Sequence, residues 1–109
     1  AAPPAPAAEP IALHLRALTS LERDDLAGAE ALLARIRACA PDYLPGALEL
    51  ALLCDRKGTR GEAARLMREI LTRTASMPSD ERVPGPEELA VGYLQASARA
   101  YLEAHGARP

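Results

Sequence analysis

"LAGAEALLARIRACAP", residues 26–41, is answered thirty-four residues further on by "RGEAARLMREILTRTA", residues 60–75. In this register Ala29 pairs with Ala63, Leu32 with Leu66, Leu33 with Met67 and Ile36 with Ile70. Within each copy these positions recur at the spacing of one face of an α-helix. A helix with a single apolar face must bury it against a neighbour, and a unit that cannot do this alone can do it by stacking on its own copy.

Working outward, five helices are expected, at about 10–22, 25–39, 43–57, 60–76 and 86–105. Ile11, Leu15, Leu18 and Leu21 make a stripe in the first. Asp25 is a plausible N-cap for the second, and Pro41 cannot continue it. Asp42 can cap the third, which tolerates Pro45 in its first turn, and Gly58 closes it. "TRGE" (59–62) has the form of a capping box, Thr59 capping and Glu62 reaching back. The fifth is expected to start at Pro86 with Glu87 and Glu88 in its first turn, where the macrodipole favours acids. Its apolar stripe reads as Leu89, Tyr93, Ala96 and Ala100, and Glu87, Glu88, Gln95, Arg99 and Glu103 as its polar positions.

Composition agrees with an all-α fold. The 109 residues suit one domain and are rich in Ala and Leu, with no Phe, no Trp and three Tyr. Net charge is −2, which argues against a nucleic-acid partner. Arg35, Arg37, Arg65, Arg68 and Arg73 cluster, but Glu62 and Glu69 lie among them, as on a solvated outer face. No run of eighteen uncharged apolar residues suggests membrane insertion. Cys39 and Cys54 have no metal-type spacing and read as free, buried thiols in a reducing, cytoplasmic setting. The opening "AAPPAPAAEP" is Ala/Pro-rich, and residues 1–9 read as a linker or tether.

Two helices per unit and a 34-residue period resemble the tetratricopeptide repeat. The second half of the first unit carries Ala29, Leu33 and Pro41 at the pattern positions; the second unit carries Ala63 and Met67 but Thr74–Ala75 in place of the closing Pro. The first halves place Leu13, Arg16, Ala17 and Ser20, then Ala47, Leu50, Ala51 and Cys54, there. The fold expected is a short α-solenoid of two helix-turn-helix repeats with the fifth helix as a C-terminal cap, the alternative being an ordinary antiparallel bundle. In such a solenoid the inner helices, here the first and third, line a concave groove. By register its candidate residues are His14, Leu18, Leu21 and Glu22, with Leu48, Glu49, Leu52, Asp55 and Arg56. Repeats of the chaperone-cofactor type hold an acidic tail with Lys and Asn at positions taken here by His14, Leu18, Leu48 and Leu52. An amphipathic helix with an apolar stripe therefore suits this groove better.

No catalytic constellation stands out. His14 and His105 have no metal spacing, "RKGTRGE" is a helix–helix turn rather than a phosphate loop, and no cofactor is expected. The chain reads as a non-enzymatic protein-interaction module.

From about Tyr43 to Leu102 the chain resembles the C-terminal repeat region of CheR-type chemotaxis receptor methyltransferases. There a repeat runs into an acidic, Pro-containing linker with "VP" and then a last helix. The residues that carry the likeness are Ala64, Arg68, Ile70, Leu71, Ser79 to Glu81, Val83, Pro84 and Leu89 to Leu94. The chain departs from that pattern at Glu69, where an amide is usual, and at "GPEE" (85–88). The resemblance implies a bacterial signalling protein with an S-adenosylmethionine-dependent methyltransferase domain upstream. The repeats would then dock or regulate, engaging a chemoreceptor or that upstream domain. A free-standing adaptor or chaperone that shields a partner helix is the alternative. No methyltransferase motif lies in these residues, so the resemblance supplies no catalytic position.

Overall fold

The computed structural model describes residues 8–106. Most of the Ala/Pro run expected as a linker, residues 1–7, lies outside the described residues, and Ala8 and Glu9 already belong to the first helix. The elements are α1 (Ala8–Glu22), α2 (Leu26–Cys39), α3 (Leu44–Arg56), α4 (Arg60–Thr74), β1 (Arg82–Val83), β2 (Leu89–Ala90) and α5 (Val91–Ala104). The fold is all-α, a short helical repeat. Helix α1 packs on α2 and α3 on α4 as two hairpins, α2 joins them by packing on α3, and α5 lies along α4.

The repeat is visible in the packing. Ala29, Leu33 and Ile36 are closed to solvent, as are Ala63, Met67 and Ile70 at the matching positions. Ala17 and Ala51, also matched, are closed as well, so each hairpin crosses on an alanine face. Leu66 is fully buried, whereas its counterpart Leu32 is only half-buried. Among the described residues there are two apolar clusters. Leu13, Ala17, Ala29, Leu33, Ile36, Tyr43 and Leu53 form the first. The second gathers α3, α4 and α5 around Ala47, Ala51, Leu66, Met67, Ile70, Leu94, Ala98 and Leu102. Helix α3 contributes to both, which is why eight of its 13 residues are buried.

The equivalence extends to the backbone between paired helices. After α1, Asp24 takes a left-handed φ of 60° and the Asp25 N–H donates to Ser20 O at 2.8 Å. After α3, Gly58 takes φ 88° and the Thr59 N–H donates to Cys54 O at 2.9 Å. Each partner in the second turn lies thirty-four residues after its partner in the first. Asp25 caps α2 as expected, its Oδ1 accepting from the Gly28 N–H at 2.9 Å. A Cβ on Gly28 would stand 2.2 Å from Asp25 Oδ2, so a larger residue there would make the Asp25 carboxylate shift.

Three expected helix starts are corrected. Thr59 makes no side-chain cap; its hydroxyl donates to Cys54 O at 3.0 Å, and Glu62 pairs with Arg65 rather than reaching back. Asp42 does not cap α3, whose N-cap is Tyr43 without a side-chain bond. Pro45 in the first turn has no N–H to satisfy, which lessens the need for one. Helix α5 begins at Val91, not Pro86. Residues 82–83 and 89–90 pair instead as short antiparallel strands, Val83 opposite Leu89, and Val83 is buried. The first donors of α5 are then taken by loop carbonyls, Val91 N–H to Glu81 O and Gly92 N–H to Ser79 O, both at 2.8 Å. Its core stripe also differs from the one expected: Val91, Leu94, Ala98 and Leu102 are buried, whereas Tyr93, Ala96 and Ala100 are exposed.

Gly58 and Gly61 give substitutions of opposite sign. Gly58→Ala forces a Cβ into the left-handed region and should cost about 1–2 kcal/mol. Gly61, helical and with open space around a built Cβ, should gain about 0.4–1 kcal/mol as Gly61→Ala. Urea denaturation of the two variants reads the difference. Stabilisation by Gly58→Ala would contradict the turn geometry.

Candidate docking groove

Between α1 and α3 lies a recess of about 250 Å³, closed at one side by the connection that precedes α5. Helix α1 supplies His14 and Leu18; α3 supplies Pro45, Leu48, Glu49 and Leu52; Pro86, Glu87, Leu89 and Tyr93 form the third wall. The volume falls below the roughly 300–1,000 Å³ of small-molecule sites. The recess is mostly apolar, which suits side chains of a docked segment. A smaller hollow continues it toward the end of α3, lined by Leu21, Glu49, Leu52, Leu53 and Arg56.

Of the residues expected here from the register, His14, Leu18, Leu48, Glu49 and Leu52 come together in the recess, and Leu21 and Arg56 in the hollow beside it. Two do not. Asp55 turns to α5, where its Oδ1 accepts from the Tyr101 hydroxyl at 2.9 Å and lies 3.8 Å from His105 Nε2 and 3.7 Å from Arg60 Nε. Glu22, the exposed last residue of α1, lines neither recess nor hollow. Pro45, Pro86, Glu87, Leu89 and Tyr93 are absent from the register-based set. The spacing of four between Leu89 and Tyr93 is the available signal, but it marks the groove wall rather than the core side of α5.

His14 is not the open groove residue that its position suggests. It is 5% exposed, and its two ring nitrogens hold α1 to α3 and its N-cap. Nε2 lies 3.1 Å from Glu49 Oε1 and Nδ1 2.8 Å from the Tyr43 hydroxyl. A carboxylate only accepts, so Nε2–H donates to Glu49, and in the neutral ring Nδ1 accepts from Tyr43 O–H. The two rings meet edge to face, centroids 5.7 Å apart. Leu48 is buried beneath the groove, while Leu52 is 48% and Tyr93 56% exposed.

The arginine cluster is only partly solvated. Glu69 on α4 is met by Arg37 from α2, by Arg73 at 3.4 Å and by Arg65 at 3.9 Å, and Arg37 is largely buried. Arg65 beside the exposed Glu62 holds that carboxyl below its usual range. Cys54 is buried as expected, but Cys39 is exposed, because it ends α2 rather than lying inside it. Among the described residues no three His, Cys, Asp or Glu side chains group as metal ligands, and no described helix is long and apolar enough to cross a membrane. No family model, no curated protein and no solved structure matches the chain.

Burial pushes the Tyr43 phenol above its usual range, and the nearby Glu49 carboxylate adds to the effect. Because the folded-state value is the higher one, the stability this contributes is whole below the unfolded value, about pH 10, and is lost as pH rises beyond it. Tyr101 is raised too, first by burial and then by its hydrogen bond to Asp55, and Tyr43→Phe leaves that contribution in place. Tyr43→Phe should cost about 1–3 kcal/mol at neutral pH, since His14 Nδ1 loses its buried partner. It should also flatten the fall in stability above about pH 10. Denaturation across neutral to alkaline pH checks both, and an unchanged alkaline slope would remove Tyr43 from the account.

Proposed function

We propose that this chain is a protein-interaction module of the tetratricopeptide type, and that the groove between α1 and α3 receives an amphipathic helix or apolar peptide of a partner protein. The observation that carries the reading is the pair Leu52 and Tyr93. Both are large, mostly apolar and about half exposed, and they stand on two walls of one apolar recess. Burying the half of each side chain that is still exposed is worth about 0.7–1.5 kcal/mol, and apolar surface gathered in a groove with a polar rim is the usual form of a docking site.

The parent context we propose is the regulatory repeat region of a CheR-type chemotaxis methyltransferase, with a chemoreceptor or the methyltransferase domain as the docked partner. The sequence pattern over residues 43–102 supports it. The mass of the native polypeptide in its own cells, read with an antibody to these 109 residues, tests that context. A product larger by one domain or more agrees with it, and a product no larger than these residues favours a free-standing adaptor.

The groove itself is tested by substitution. Leu52→Glu should leave helicity and stability within about 0.5 kcal/mol of the parent, as an exposed replacement does, whereas Leu48→Glu should unfold the domain by burying a charge. A photoreactive residue at Tyr93 should form an adduct in cells that one at Arg65, on the outer helix, does not form. Leu52→Glu should abolish that adduct. Loss of helicity in Leu52→Glu, or equal labelling from both positions, would sink the groove assignment.

A further inference from the structure

We infer that the segment docked in the groove is a cationic amphipathic helix, an apolar stripe flanked by lysine or arginine. The inference rests on the groove being the docking site and adds the charge of its occupant. The recess is lined by two carboxylates, Glu49 on α3 and Glu87 in the connection, and among the described residues no lysine or arginine lines it. His14, its other titratable side chain besides Tyr93, is buried and donates Nε2–H to Glu49. Arg56, in the hollow beyond, is paired with Asp24 at 2.6 Å. Further cations are engaged on other faces: Arg37, Arg65 and Arg73 surround Glu69, and Lys57 holds Glu30 at 2.7 Å.

The rim of the recess is therefore acidic, with Glu49 and Glu87 as its charged groups. A helix that lays an apolar stripe along Leu18, Leu52 and Tyr93 must bring the residues flanking that stripe to the rim. Lysine or arginine there meets Glu49 and Glu87, while aspartate or glutamate is repelled, so the rim selects by sign as well as by shape. The 13 residues of α3 span about 20 Å, which sets the matching partner segment at about four turns.

Two synthetic peptides of about sixteen residues, long enough to take up helix, test this. They share one leucine stripe and differ only in flanks of lysine or of glutamate. Fluorescence anisotropy with the full chain should show the lysine peptide binding roughly tenfold more tightly at low ionic strength. That preference should shrink at about 0.15 M salt. It should vanish in the Glu49→Gln/Glu87→Gln double variant, which removes both charges while an amide oxygen on α3 still accepts from His14. Equal binding of the two peptides, or a preference that survives in the double variant, would overturn the cationic partner while leaving groove docking intact. No binding of either, or unchanged binding to Leu52→Glu, would overturn the docking reading and this inference with it. Sedimentation of the protein alone showing a dimer that Leu52→Glu breaks would assign the groove to a second copy and overturn it as well.

Discussion

Ala17, Ala29, Ala51 and Ala63 have no accessible surface at all, and the spacing of the paired helices depends on their ending at Cβ. A larger side chain at any of them would have to displace a neighbouring helix, and overpacking of this kind costs about 1–3 kcal/mol. The alanines fix how closely α1 approaches α2 and α3 approaches α4. Leu33, Ile36, Met67 and Ile70 then fill the space that this close approach leaves. The groove follows from the same constraint. Once α1 and α3 are each pulled onto their outer partners, their remaining faces diverge and leave the recess above Leu48.

What is legible in the chain alone divides from what is not along a physical line. The thirty-four-residue period locates α1 to α4, because side-chain periodicity and local caps such as Asp25 are properties of contiguous sequence. The start of α5 is not of that kind. Pro86, Glu87 and Glu88 have the composition of a first helical turn, but Val83 prefers burial, and pairing residues 82–83 with 89–90 delays the helix to Val91. The helix is then begun by carbonyls of Ser79 and Glu81, which no local pattern announces. The expected stripe lies off the core, and Tyr93 stands in the groove wall. Thr59 fails in a similar way: a side chain able to cap satisfies the carbonyl of Cys54 instead.

Most of the register-derived groove residues meet in one place, because the register reports which face of α1 and α3 points inward. Burial it reports poorly. His14 and Leu48 occupy groove positions yet are closed over, His14 by Tyr43 and Glu49 together. Glu49 is therefore shared. One oxygen anchors α3 to α1, and its charge remains at the groove rim, so a substitution there reaches both the scaffold and the docking surface.

Helix α3 belongs to both apolar clusters, Leu53 to the first and Ala47, Ala51 and Cys54 to the second. The described residues thus form two apolar clusters with one common wall. Loosening α1 and α2 would open the first cluster while α3, α4 and α5 kept the second, and local opening of this kind is how repeat proteins distribute their stability. Amide protons of α3 would then exchange last and those of α1 early. The groove lies along the seam between the two clusters, so a ligand that spans it would also fasten the first hairpin to the rest.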